Sequence, residues 1–89
     1  MYNKIMEYTF LLSAIQSRDG FYRPALCLKT VDESWYVFTD SAGVCFRRLK
    51  DPVKEDFSPE EMKKQYFGIY RLITQKWNEI STVLKKPVV

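Results

Sequence analysis

The clearest hydrophobic pattern lies in the last third of the chain, where apolar residues recur at helical spacing after residue 58. One stripe about 100° wide contains Met62, Tyr66, Ile69, Tyr70, Ile73, Trp77, Ile80 and Leu84. Ser58 and Glu61 have the spacing of a capping box, and Pro59 occupies the first helical position. The sequence therefore predicts one helix over residues 58–86, with this stripe facing the core.

Residues 6–50 instead show the pattern of β-strands. Apolar residues alternate over 8–15, and the following Asp19-Gly20 is a dipeptide that suits a tight hairpin. Further strands are predicted at about 21–30, 35–39 and 44–49, and residues 51–57 are predicted to be a connector. The sequence thus predicts an α+β fold with an antiparallel sheet of about four strands, ββββα, in a single compact domain over 1–89. Because apolar residues of 5–15 also fall near helical spacing, αβββα is the alternative.

The predicted helix is long for so small a protein. About 27 residues at 1.5 Å each give about 40 Å, whereas strands of about seven to ten residues span about 23 to 33 Å. The helix is therefore expected to extend past its sheet and to expose apolar surface, which usually marks an interface. The predicted interface residues, at the helix end and outside the core stripe, are Phe67, Arg71, Leu72, Trp77, Ile80 and Leu84.

Composition limits the chemistry that the chain can perform. The 89 residues contain no histidine, which excludes Ser-His and Cys-His nucleophile pairs and ordinary Cys/His zinc sites. The two cysteines, Cys27 and Cys45, lie in predicted strands and are expected to be buried free thiols, which favours a reducing, cytoplasmic compartment. No catalytic residue, cofactor, metal site or membrane segment is predicted, and an enzyme is not expected.

Basic residues lie among aromatic residues in the predicted sheet and suggest a second function. Aromatic rings beside guanidinium groups suit the unstacked bases and phosphates of single-stranded nucleic acid. The candidate contacts are Arg18, Arg23, Trp35, Tyr36, Arg47, Arg48 and Lys50. In element order the chain is similar to the ββββα units of Whirly and PUR-repeat single-strand binders. The net charge of +3 is too small to identify a nucleic-acid binder by itself.

A third pattern runs through residues 8–44, where Gly20-Phe21-Tyr22 precedes Trp35-Tyr36-Val37-Phe38-Thr39-Asp40. This segment resembles the C-terminal β segment of ubiquitin-specific proteases. In that family a histidine supplies the catalytic base and an acid orients it. Phe21 and Thr39 stand at those positions here, so the resemblance implies a catalytically inactive segment.

The predicted function is that of a small non-enzymatic protein-interaction module of accessory or inhibitor type. It is expected to act as a homodimer or to bind a larger protein through its C-terminal helix. Binding of single-stranded nucleic acid and an inactive protease-like segment are the alternatives.

Overall fold

The computed structural model describes residues 7–85, and for residues 82–85 it describes only the backbone. Its elements in chain order are β1 (Thr9–Gln16), β2 (Tyr22–Lys29), β3 (Ser34–Asp40), β4 (Gly43–Lys50), β5 (Val53–Phe57), α1 (Pro59–Gln65) and α2 (Phe67–Lys85). The strands form one antiparallel sheet in the order β1-β2-β3-β4-β5. The predicted α+β fold with a C-terminal helical part is confirmed, and its first described element is a strand.

The strand β5 lies within the segment predicted to be a connector. A tight turn containing Asp51-Pro52, whose peptide bond is cis, returns the chain beside β4. Register then places two acidic residues of β5 opposite two arginines of β4, as Arg47↔Asp56 and Arg48↔Glu55. Opposite charges on facing positions stabilise a sheet, so a segment rich in charge forms a strand here. The sheet therefore has five strands where about four were predicted.

The predicted long helix is divided into α1 and α2 at Tyr66. The capping box is present: Glu61 N–H donates to Ser58 Oγ at 3.2 Å, and Ser58 N–H donates to Glu61 Oε1 at 2.8 Å. Tyr66 leaves the helical conformation, with φ −140° and ψ 53°. Its ring centroid lies 4.8 Å from that of Trp35 and 5.5 Å from that of Phe57, so the break places this ring in an aromatic cluster.

The break also shortens the helix that packs on the sheet. The 19 residues of α2 span about 28 Å, and a strand of eight residues, such as β1, spans about 26 Å. The two elements are therefore similar in length, and the prediction of one unbroken helix of about 40 Å, longer than the strands, is wrong.

The main core lies between the sheet and the two helices. Leu26, Leu28, Trp35, Val37 and Phe46 of the sheet are buried with Met62 and Ile73 of the helices. The predicted stripe packs onto this cluster through Tyr66, Ile69, Tyr70, Trp77 and Ile80, whereas the side chain of Leu84 lies outside the described residues. The predicted core face of the helical part is thus the observed one.

A second, smaller cluster lies on the opposite face of the sheet. Ala25, Phe38 and Cys45 are buried there, although no helix covers this face within residues 7–85. The sheet itself provides the cover, because Arg47 Nη1 on β4 donates to Gln16 O on β1 at 2.7 Å. In a flat sheet these two strands would lie about 14 Å apart, which is beyond the reach of one side chain. The end of the first hairpin therefore curls over this face.

The turn of that hairpin has a defined geometry. Gly20 N–H donates to Ser17 O, Ser17 N–H donates to Phe21 O at 2.8 Å, and Gly20 has φ +91°. This is a three-residue loop with a left-handed residue at its end, a position that glycine fills without strain. The hairpin predicted from Asp19-Gly20 is confirmed.

Candidate protein interface

An apolar groove runs between the first hairpin and the C-terminal half of α2. It has a volume of about 340 Å³ and is lined by Leu12, Ser13, Pro24, Ala25, Trp77, Ile80 and Ser81. Alternation along the strands places Leu12 and Pro24 on the helix-bearing face, and the i, i+3 spacing of Trp77 and Ile80 places both on the side of α2 that faces the sheet. We call this feature the hairpin groove.

Exposure differs between the two walls of the hairpin groove. Trp77 and Ile80 are half-buried and pack against the main core. On the other wall, Leu12 is 73% exposed. The apolar surface left open to solvent therefore comes from β1 more than from the helix end. Leu12 was not among the predicted interface residues. The neighbouring pair Leu11-Leu12, which puts an apolar side chain on each face, was a signal that β1 has no fully polar side.

The remaining predicted interface residues are not all brought together. Phe67 is 55% exposed at the start of α2, and the Arg71 guanidinium lies 6.0 Å from its ring centroid. Ten residues of helix, about 15 Å, separate Phe67 from Trp77. Leu72 is half-buried and packs against the main core. Only Trp77 and Ile80 among the described members of the predicted set line the hairpin groove.

The arginines proposed as nucleic-acid contacts are paired with carboxylates of the chain itself. The pairs are Arg18–Asp40 at 2.9 Å, Arg23–Asp19 at 2.6 Å, Arg47–Asp56 at 2.6 Å and Arg48–Glu33 at 2.8 Å. Trp35 is 1% exposed beneath the helices and cannot offer a ring face to a base. Tyr36 is half-buried on the opposite face of the sheet, and Lys50 is exposed at the end of β4. The structure therefore does not form one exposed surface from these residues.

The turn of the first hairpin holds a compact charged network. The Ser17 hydroxyl hydrogen-bonds to the Asp19 carboxylate and, together with Arg23, holds the pKa of Asp19 well below its usual range. Burial alone would raise the pKa of Asp40, but the hydrogen bonds from Ala42 N–H and Arg18 outweigh it and lower this pKa. Both carboxylates therefore stay ionised and hold the turn against the loop between β3 and β4.

A larger and more polar cavity, of about 530 Å³, lies where that hairpin curls over the sheet. Its lining residues are Gln16, Ser17, Arg18, Gly20, Arg47, Lys54 and Asp56. Two of its charged groups, Arg47 and Asp56, already pair with each other, and Arg18 pairs with Asp40. This cavity thus lies where side chains join the hairpin to β4. Because three of its charged side chains are already in ion pairs, few of its polar groups remain to bind a ligand.

Among the described residues, no group of His, Cys, Asp and Glu could hold a metal ion. Within residues 7–85, no helix is long and apolar enough to cross a membrane.

The two positions that correspond to the base and the acid of a ubiquitin-specific protease carry exposed Phe21 and Thr39, neither of which can act as an acid or a base at neutral pH. Phe21 is 67% exposed beside the hairpin turn, and Thr39 is exposed near the end of β3. In comparisons with known proteins, the chain matches no family model, no curated protein and no solved structure.

Proposed function

We propose that this protein is a small non-enzymatic protein-interaction module that acts as a homodimer or bound to a larger protein, with the hairpin groove as its contact surface. The observation that carries the proposal is the open apolar wall of the groove, where Leu12 is 73% exposed beside half-buried Trp77 and Ile80. Apolar surface of this kind on a small protein is typical of an interface.

The residues of the groove suit a protein partner. Burying a leucine side chain fully contributes about 1.5 to 3 kcal/mol, and tryptophan is enriched among the residues that dominate binding energy. Tyr22 is also 73% exposed, and its register partner Gln16 belongs to the same face of β1 as Leu12. A partner that covers Leu12 and Tyr22 would bury two large side chains beside an existing apolar wall.

The proposal that the module is non-enzymatic rests on its titratable groups. The chain has no histidine, and many of its described acids are engaged in ion pairs within the fold. Burial raises the pKa of the Cys45 thiol to about 11, so this group stays protonated and is a poor nucleophile.

Cys27 and Cys45 are both free and buried. Free thiols support our further proposal that the protein works in a reducing compartment such as the cytoplasm.

Two variants of α2 test the proposal: one places a charge in the hairpin groove and the other places a charge elsewhere on the helix, and the association of the two variants is compared. Ser81→Lys introduces an ammonium group into the groove, and Gln75→Lys introduces one at an exposed position of the same helix. Light scattering over a concentration series measures self-association. Chemical crosslinking followed by mass spectrometry identifies larger partners and the residues that contact them.

We expect Ser81→Lys to weaken the association at least tenfold and Gln75→Lys to leave it unchanged. Crosslinks from the parent should map to the first hairpin and to the C-terminal half of α2. The proposal fails if the parent is monomeric and, in addition, Ser81→Lys forms crosslinks to other proteins as often as Gln75→Lys does.

A further inference from the structure

The two edges of the sheet differ in how they are protected. Strand β5 is short, with five residues, and carries the charged residues Lys54, Glu55 and Asp56. Strand β1 has eight residues, Thr-Phe-Leu-Leu-Ser-Ala-Ile-Gln, none of them charged and none of them proline. Its register with β2 is continuous from Thr9 to Gln16, so it has no bulge. Natural edge strands are usually short or carry a charge, a proline or a bulge, because these features prevent pairing with other strands.

The hydrogen-bonding groups on the outer edge of β1 follow from its register. Ser17 N–H donates to Phe21 O, and paired positions in an antiparallel ladder alternate between bonded and non-bonded. The amide and carbonyl groups of Phe10, Leu12 and Ala14 therefore point away from β2. Gln16 follows the same alternation, and its carbonyl indeed accepts from Arg47 instead of from β2. Among the residues that the structure describes, no strand pairs with this outer edge.

We infer that β1 pairs antiparallel with β1 of a second copy of this chain, about a two-fold axis at Leu12. The inference rests on the proposed function and names the partner as the chain itself. Centring the axis on Leu12 pairs Phe10 of one copy with Ala14 of the other and leaves the occupied carbonyl of Gln16 outside the ladder. The arrangement forms about six backbone hydrogen bonds and joins the two sheets into one.

Charge favours a second copy and favours the antiparallel direction. β1 carries no charge that would repel its copy, and an interface with two-fold symmetry must be self-complementary. Exposed Glu7 precedes β1, and Arg18 follows it. Antiparallel pairing places Glu7 of each copy near Arg18 of the other, beside the Asp40 that Arg18 already binds within its own chain, whereas parallel pairing would place like charges together. The two Leu12 side chains would also meet on the helix-bearing face and lose their exposure.

Amide hydrogen exchange of the full-length chain, measured by NMR at several concentrations, tests this arrangement directly. The amides of Phe10, Leu12 and Ala14 should exchange at least tenfold more slowly in concentrated samples, in which the dimer forms. The amides of β5, at the opposite edge, should keep their rates. A dimer that leaves the three β1 amides unprotected overturns the inference but leaves the proposed function standing, because contact through the hairpin groove would then account for the association.

A pair of matched variants gives an independent test. Leu12→Lys adds a charge to the β1 edge, and Val53→Lys adds one to the β5 edge, where Val53 is 50% exposed. We expect Leu12→Lys to weaken dimerisation at least tenfold in light scattering and Val53→Lys to leave it unchanged. A monomeric parent at several hundred micromolar overturns the inference, as does equal weakening by the two substitutions. Crosslinks to a larger partner that Ser81→Lys abolishes would still support the proposed function.

Discussion

Arg47→Met should destabilise the fold strongly, although Arg47 lies on the sheet face that no described helix covers. Its guanidinium donates to Asp56 Oδ1 at 2.6 Å, to Asp56 Oδ2 at 3.0 Å and to Gln16 O at 2.7 Å. A hydrogen bond to a charged group contributes about 1.5 to 3 kcal/mol. These contributions are not additive. The Asp56 side chain is 25% exposed, so water can replace part of the hydrogen bonding that Asp56 would lose.

Methionine retains most of the aliphatic stem but loses the contact of the guanidinium with Phe38, whose ring centroid lies 5.1 Å from Arg47 Cζ. This contact contributes about 0.5 to 1 kcal/mol. Taking the hydrogen bonds and the ring contact together, we expect Arg47→Met to lower the free energy of unfolding by about 2 to 4 kcal/mol.

Urea unfolding followed by tryptophan fluorescence measures this loss. With a urea dependence of about 2 kcal/mol per molar, the middle of the range for small proteins, the midpoint should fall by roughly 1 to 2 M. Arg23→Met is the matched control, because Asp19 would keep its bonds to Ser17 and to the backbone, and such a pair contributes at most about 1 kcal/mol. Equal midpoints for the two variants would refute the role assigned to Arg47 in holding the curled hairpin.

Three further predictions follow from local contacts. Ser58→Ala removes the cap of α1 and should cost about 1 kcal/mol, which lowers the thermal midpoint by about 4 to 8 °C in calorimetry; an unchanged midpoint would contradict it. Asp19 has a folded pKa below its ordinary value of 3.8, so its stabilisation is present above that pH and is lost as the pH falls through the folded pKa. The stability difference between the parent and Asp19→Asn should therefore be constant above about pH 5 and shrink as the pH falls from about 4 to about 2, and a constant difference over that lower range would count against it. Titration with a short single-stranded oligonucleotide at two salt concentrations should show no binding, because the candidate arginines are already paired; binding that weakens as salt rises would overturn this.

Elements with strong local signals were predictable from the sequence. The capping box of Ser58 and Glu61 and the hydrophobic stripe after it define where the helical part begins and which face it buries. The Asp19-Gly20 hairpin and the alternation in 8–15 define the first two strands. In these segments the local preference and the tertiary packing agree, so the pattern alone was sufficient.

Features that depend on distant residues were missed. Strand β5 is stabilised by charges of β4, and the break at Tyr66 by the rings of Trp35 and Phe57. In both cases the stabilising residues belong to other elements, so the local sequence preference of the segment itself does not reveal them. The pairing of Arg47-Arg48 with Glu55-Asp56 across a turn was the one sequence signal that could have indicated β5.

The candidate site was predictable only on its helical wall. Trp77 and Ile80 follow from the stripe, whereas Leu12 depends on β1 being an edge strand, which alternation does not reveal. Which face of the sheet the helices cover could not be predicted either. Trp35 and Tyr36 point to opposite faces of β3, and the packing of the helices decides that Trp35 is buried. A list of exposed aromatic residues could not be made before that packing was known.

The order β1-β2-β3-β4-β5 also has a consequence for how the chain folds. Every strand pairs with its neighbour in sequence, so each ladder closes only a short loop, and proteins dominated by such local contacts fold fast for their size. The bond from Arg47 to Gln16, which spans 31 positions, joins two strands that are not neighbours. We therefore expect hairpins to form one after another and this bond to close late, with substitutions at Arg47 accelerating unfolding more than they slow folding.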